Sequence, residues 1–234
     1  MNDVKDPDFQ RRREKAMAEV QLLDKDTIHS HPEREAFFEN VYQRADGDPA
    51  AIPWADLKAK HKLEEWLSAN APHRGCAIDV GCGLGDNAQA LMDAGYQTTG
   101  FDFSAEAIQW ALSRFPNSPV TFTVADLFDV PKDWIERFDL VHECYTLQSI
   151  PPETLEKSIP SVVSLVRPGG TLLVYTRVRE DNSEVDGPPW PLEETKLKTF
   201  FELGLELLNR EEFVLERPPD RVIPHVFSVW RKPL

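Results

Sequence analysis

Hydrophobic positions follow two different rhythms along the chain. Over residues 1–35 the apolar side chains Met17, Val20, Leu23 and Ile28 fall loosely on one helical face. This segment reads either as a partly ordered tail or as a lid over a site. Phe37, Phe38, Val41 and Tyr42 carry a second helical pattern, which the turn Asp46-Gly47-Asp48-Pro49 ends. A third helix is expected from about Trp54 to Leu67.

From Cys76 short apolar runs alternate with helical patterns at a regular pitch. Strands are expected at Cys76–Val80, Gln97–Phe101, Val120–Val124, Phe138–Cys144 and Thr171–Thr176, the last after the turn Pro168-Gly169-Gly170. Helices are expected between them at Asp86–Ala94, Ala105–Phe115 and Glu153–Leu165, with Pro152 in the first turn of the last and a kink at Pro160. One more helix starts at Glu193 and ends near Gly204. Strands around Glu206–Leu215 and His225–Arg231 follow with no helix between them, so they should pair antiparallel. Alternation of this kind predicts the α/β class, with one doubly wound, mostly parallel sheet. Residues 1–70 form a helical extension to a domain at 71–234. Right-handed crossovers put a ligand crevice at the carboxyl ends of the strands.

Chemistry gathers at that edge. Asp79-Val80-Gly81-Cys82-Gly83-Leu84-Gly85 joins the first strand to the first helix after it. Glycines there let the backbone turn sharply and meet a ligand closely, and the helix start offers free N–H groups. The spacing is GxGxG rather than the dinucleotide GxGxxG. An acid two residues before Gly81 suits an ammonium and repels a pyrophosphate. Asp102 ends the second strand, 21 residues beyond Gly81, where a carboxylate can accept both ribose hydroxyls. Phe103 follows and can lie on a purine face. Asp126 ends the third strand, where it can accept an adenine amino hydrogen.

Charge narrows the partners. Lys and Arg total 26 against 40 Asp and Glu, a formal net charge of −14. Such a body repels phosphate backbones, so nucleic acid and anionic membrane surfaces are not expected partners. The three cysteines, Cys76, Cys82 and Cys144, form no CxxC pair and no Cys/His cluster. That composition points to a reducing, cytoplasmic compartment without disulfides or zinc. His29, His31, His61, His73 and His225 are scattered, and no metal site is expected. The start Met1-Asn2-Asp3-Val4-Lys5-Asp6 has no apolar signal core, and no apolar run approaches a bilayer span.

Acids after three successive strands, following a GxGxG loop, resemble the class I S-adenosylmethionine-dependent methyltransferases. The resemblance runs from about Cys76 to Arg231. It implies that Gly81, Gly83 and Gly85 line the methionine part and that Asp79 helps hold the ammonium through the loop. It implies that Asp102 binds the ribose, and Asp126 with the Leu127 N–H the adenine. Phe138-Asp139-Leu140-Val141 resembles the family's fourth strand, and Val166-Arg167-Pro168-Gly169-Gly170 the turn before its fifth. The family's sheet has seven strands with the last antiparallel.

Ile52-Pro53-Trp54 and Gly187-Pro188-Pro189-Trp190 are similar to segments of the thiopurine, thiol and halide methyltransferase branch, although Ala55 stands where an acid is frequent. In that branch the early Trp packs near the cofactor and the Gly-Pro-Pro segment near the acceptor. Trp54 is read either as core or as a cofactor contact, and Gly187–Trp190 either as a rigid loop or as a pocket wall. After the fourth strand come His142, Glu143, Cys144 and Tyr145; strand alternation lets one of the pairs His142/Cys144 and Glu143/Tyr145 face a ligand. His142 or Tyr145 is the candidate to orient an acceptor, with Tyr145 and Trp190 lining its pocket. The implied reaction is methyl transfer to a small molecule, through sulfur. The rival readings are a non-catalytic cofactor-binding domain and a nucleotide-binding oxidoreductase.

Overall fold

A computed structural model describes residues 4–25, 30–71, 74–185, 187–217 and 221–234. Ile28, His29, His73 and Asp186 lie outside the described residues.

Five parallel strands form the frame: β1 (Cys76–Val80), β2 (Gln97–Asp102), β3 (Thr121–Val124), β4 (Phe138–Cys144) and β5 (Val166–Arg179). A two-residue strand β6 (Leu192–Glu193) pairs with the far end of β5. Then come β7 (Glu206–Arg217) and β8 (Arg221–Arg231). The sheet order is β3-β2-β1-β4-β5-β8-β7, with β8 antiparallel to both neighbours. The doubly wound α/β sheet expected from the alternation is therefore present. Its seven principal strands include the antiparallel closing pair.

Alternate residues of the central strands bury on opposite faces. Ile78, Val80, Val141, Leu172, Val174 and Trp230 meet α6 (Leu155–Leu165) and α8 (Thr199–Glu202). Ala77, Leu140, Leu173 and Val229 meet α3 (His61–Ala69) and α4 (Asp86–Asp93). Between α4 and α6 in the chain lies α5 (Ala105–Arg114), started by Ser104, whose hydroxyl accepts from the Ala107 N–H at 3.0 Å. The remaining short helix, α7 (Glu194–Leu197), runs directly into α8.

Several boundaries differ from the periodicity reading. Residues 7–25 are not a tail: α1 (Pro7–Lys25) is a helix that buries Phe9, Arg13 and Ala16. With the half-buried Val20 and Leu23 these make a continuous stripe, while Met17 is exposed. Arg13 donates to the Ala55 carbonyl and lies over the Phe9 ring, which is why a charged residue sits on the buried face. α2 (His31–Ala45) matches the expected second helix and ends at Asp46 in a left-handed conformation. The third helix starts at His61 rather than Trp54. Pro53 opens a turn and Leu57 has φ of 54°, so no helix can run through 54–60. β5 starts five residues before Thr171. Phe138 pairs with Val166 and Leu140 with Thr171, so the expected turn is a bulge inside the strand, with Gly169 at φ of 71°. α6 continues through Pro160. The single helix expected after Glu193 is the two one-turn pieces α7 and α8, stopped at Gly204 with φ of 83°.

Candidate active site

β1 ends in the glycine loop. Gly81, Gly83 and Gly85 have φ of 62°, 51° and 86°, values that side chains resist. A Cβ on Gly81 would stand 2.4 Å from the Thr146 hydroxyl, and one on Gly85 2.8 Å from Phe122. The loop is pinned to β2. The Cys82 N–H donates to the Phe101 carbonyl at 2.8 Å, and the Gly83 N–H to Asp102 Oδ2 at 3.0 Å. From outside, Arg114 clamps the Asp86 carboxylate through two bonds of 2.7 Å and donates to the Leu84 carbonyl.

Asp102 is 6% exposed. Its other oxygen accepts the Ser104 N–H at 3.0 Å. Burial pushes its carboxyl up to about 6, against the two N–H groups that favour the charged form. Each carboxylate oxygen accepts one backbone bond and keeps a lone pair for a further donor. Asp126 turns back on its own loop and accepts the Phe128 N–H at 2.9 Å, with Leu127 buried between them. Phe103 is half-buried, its ring 5.9 Å from that of Phe38.

Beneath the loop, Asp79 and His142 are register partners on β1 and β4. Asp79 Oδ1 lies 2.7 Å from His142 Nδ1, and both side chains are buried. Asp79 Oδ2 and His142 Nε2 are buried without a hydrogen-bond partner. Glu143, on the opposite face, accepts the Leu147 N–H at 3.0 Å, and burial lifts its carboxyl to about 7. Alternation stops at Tyr145. Its φ of 68° turns it out of the strand, so neither expected pair faces outward as a pair. His142, expected as one of two candidates to orient an acceptor, has its ring fully buried and turned to Asp79. Tyr145 points away from it, its Oη 2.8 Å from His225 Nε2.

Helix α2 crosses the carboxyl edge of the sheet. Tyr42 Oη sits 3.1 Å from where a Gly83 Cβ would be and accepts from Trp54 Nε1 at 3.0 Å. Glu39 accepts from the Ser104 hydroxyl at 2.6 Å. Arg34 donates to the Ser149 carbonyl at 3.1 Å, with its guanidinium 5.4 Å from the Trp190 ring. Trp190 is itself buried, and its backbone N–H donates to the Gln148 carbonyl at 2.7 Å. Trp54 thus joins the glycine loop through Tyr42, and Trp190 joins α2 through Arg34. Among the described residues no cluster of His, Cys, Asp and Glu could hold a metal ion, and no helix is long and apolar enough to cross a membrane.

Residues 77–170 match the family model described as a methyltransferase domain. Over these residues the chain is a methyltransferase domain. A putative methyltransferase, YqeM, of Bacillus subtilis is 28% identical over 112 residues, covering 47% of this chain and 45% of that protein. The chain thus spans less than half the length of that relative. A thiopurine S-methyltransferase of Aliivibrio fischeri is 26% identical over 174 residues, covering 67% of this chain and 80% of that protein. Among solved structures, the 1,6-didemethyltoxoflavin-N1-methyltransferase of Burkholderia thailandensis, with 1,6-didemethyltoxoflavin and S-adenosylhomocysteine bound, superposes with a TM-score of 0.67 at 16% identity. That likeness covers 88% of this chain and 92% of the other, and it shares the fold.

The residues of this methyltransferase domain fit S-adenosylmethionine on their own chemistry. A cradle that side chains would fill lies beside a buried carboxylate oxygen, Asp79 Oδ2, that lacks a partner and has the charge an ammonium needs. The Asp102 lone pairs suit a diol. Pattern reading missed Arg34, Glu39, Tyr42, Thr146, Gln148 and His225. The Phe37–Tyr42 stretch did carry a signal, since a polar-tipped aromatic on an otherwise apolar face needs a partner when buried.

Proposed function

We propose that this protein transfers the methyl group of S-adenosylmethionine to the sulfur of a small molecule. The observation that carries the reading is the arrangement at the ends of β1 and β2: three left-handed glycines, Asp79 below them, and Asp102 gripping the loop through the Gly83 N–H. Gly81, Gly83 and Gly85 would line the methionine part and Asp79 would attract the ammonium. Asp102 would accept the ribose hydroxyls, Phe103 would pack on the purine, and Asp126 with the Leu127 N–H would bind the adenine edge. When bound, the cofactor supplies an electrophilic methyl group on a sulfonium.

The chain's own task is to align the acceptor and exclude water, an effect that can supply about 7–11 kcal/mol in favourable cases. We assign residues 1–70 to closing the crevice, supported by the contacts of Tyr42, Glu39 and Arg34 with Gly83, Ser104 and Ser149. Trp54 would support the methionine side through Tyr42. Tyr145 and Trp190 would wall the acceptor pocket, and Tyr145 would orient the acceptor. A small acceptor agrees with the excess of 40 acidic over 26 basic residues. It also agrees with the ring compound bound to the Burkholderia relative. Sulfur agrees with the thiopurine S-methyltransferase likeness over two thirds of the chain. Three free cysteines fit a cytoplasmic setting.

S-adenosylhomocysteine should raise the melting temperature, because it binds only the folded state. A screen of thiols, halides, phenols and amines, read by S-adenosylhomocysteine release, should give turnover with thiols. Calorimetry showing no binding at millimolar S-adenosylhomocysteine would sink the reading.

A further inference from the structure

Tyr145 and His225 come from segments eighty residues apart, and their contact has a fixed direction. His225 Nδ1 lies 2.8 Å from the Ile223 carbonyl. A carbonyl only accepts, so Nδ1 carries the hydrogen and Nε2 of the neutral ring is left to accept. The Tyr145 hydroxyl, 2.8 Å away, is therefore the donor, and its oxygen, which also meets the Tyr175 hydroxyl, keeps a lone pair for one further donor. The imidazole is 1% exposed, stacked on Phe213 at 5.3 Å and flanked by Tyr175 at 5.8 Å.

Tyr145 sits at the crevice edge. Its neighbour Thr146 donates to the Val80 carbonyl at 2.9 Å and stands where a Gly81 Cβ would point. Its ring is half-buried. Two cations flank that ring, Lys60 Nζ at 4.6 Å and Arg177 at 5.8 Å. Lys60 is paired with Asp56, and His61 lies one ring further out, against Phe213. These cations favour negative charge developing on an acceptor placed over Tyr145. Burial raises the Tyr145 hydroxyl, so it is suited to passing a proton onward rather than standing as a phenolate.

We propose that Tyr145 and His225 form a proton relay: Tyr145 is the catalytic residue that receives the acceptor's proton, and His225 is the positioning residue behind it that takes the Tyr145 proton. This deepens the methyl-transfer reading above and rests on it. The acceptor class is a protonated thiol. Its sulfur forms the bond to the methyl carbon with its own electron pair. The carbon–sulfonium bond breaks, and its pair stays on the cofactor sulfur. The thiol proton moves to Tyr145 Oη as the Tyr145 proton moves to His225 Nε2, and the imidazolium later returns it to solvent through the same path.

The test compares Tyr145→Phe and His225→Asn with the unsubstituted protein on two thiols. One is 2-mercaptoethanol, protonated at neutral pH; the other is 4-nitrothiophenol, already largely ionised. Both variants should lose about 100-fold or more in kcat with 2-mercaptoethanol, the usual scale of general base catalysis, and much less with 4-nitrothiophenol. The rise of kcat with pH that reports a neutral imidazole should vanish in both. S-adenosylhomocysteine affinity should stay within about twofold of the unsubstituted value, a shift far below one RT-scale decade. Tyr145→Phe keeps the ring in place and serves if His225→Asn does not fold. Equal losses with both thiols, or no loss, would overturn the relay while leaving methyl transfer intact. Binding of S-adenosylhomocysteine with turnover of neither thiol would overturn the sulfur acceptor and the relay together. No binding by the unsubstituted protein would overturn the cofactor reading instead.

Discussion

Asp102 has two opposed dependences on pH. Its folded-state carboxyl, lifted to about 6 by burial, lies above the ordinary value of 3.8. Protonation is therefore easier in the folded chain, and this group adds stability as pH falls from about 6 towards 4. Cofactor binding runs the other way, because the ribose hydroxyls need the carboxylate lone pairs. S-adenosylhomocysteine affinity should weaken below about pH 6, by up to about tenfold per pH unit, and Asp102→Asn should flatten the profile. Asp102→Ala should cost about 2–4 kcal/mol of affinity at neutral pH. Calorimetry across this range checks both statements, and unchanged affinity in the alanine variant would place the ribose partner elsewhere. Gly81→Ala tests the cradle. With φ at 62° and Thr146 Oγ1 2.4 Å from the new carbon, it should cost about 1–3 kcal/mol of stability in urea denaturation.

Helix α2 ties three loops together, and its docking rests partly on one buried hydroxyl. Tyr42→Phe leaves Trp54 Nε1 without its acceptor and should weaken docking by about 1 kcal/mol. Hydrogen exchange should speed up in residues 31–45 more than in β1 or β4; uniform change would mean that α2 and the sheet open together. Elements of this kind differ in how plainly a sequence displays them. β1, β4 and α4 were legible because each holds a short apolar run or helical pattern set off by turn residues, as β1 and α4 are by Gly81, Gly83, Gly85 and Gly95. The carboxylates Asp79, Asp102 and Asp126 were legible because strand ends fix their place. The start of α3 was not, because the pattern from Trp54 to Leu67 continues through Leu57, whose left-handed conformation no period reports. The bulge at Arg167–Gly170 escaped because a turn-forming sequence was absorbed within a strand whose partners at both ends hold it. His225 escaped because its partner, Tyr145, is remote in sequence, and its role depends on a tautomer set by the Ile223 carbonyl.

At the scale of the whole molecule, the N-terminal helix and the sheet are joined through a thin seam. Arg12 and Arg13, the latter lying over the buried Phe9 ring, bond Asp48 and the Ala55 carbonyl and so seat α1 on the stretch that carries Trp54. Phe9→Ala should therefore release α1 before the sheet. Amides of α1 should lose exchange protection while the global urea midpoint holds, and S-adenosylhomocysteine affinity should fall as the Trp54 stretch loosens. A large midpoint shift with α1 and sheet amides changing alike would show one cooperative unit instead. The sheet has its own asymmetry. β8 pairs with β5 on one side and β7 on the other, so a strand made after both of its neighbours is inserted between them. During synthesis β7 emerges with no edge to join, and β5 presents its open flank until residue 231 has left the ribosome. Vectorial folding can thus complete the glycine loop and its carboxylates while the right-hand third of the sheet is still waiting. A nascent chain halted before β8 should expose β7 and the β5 flank to proteases and to chaperones that bind unpaired strands.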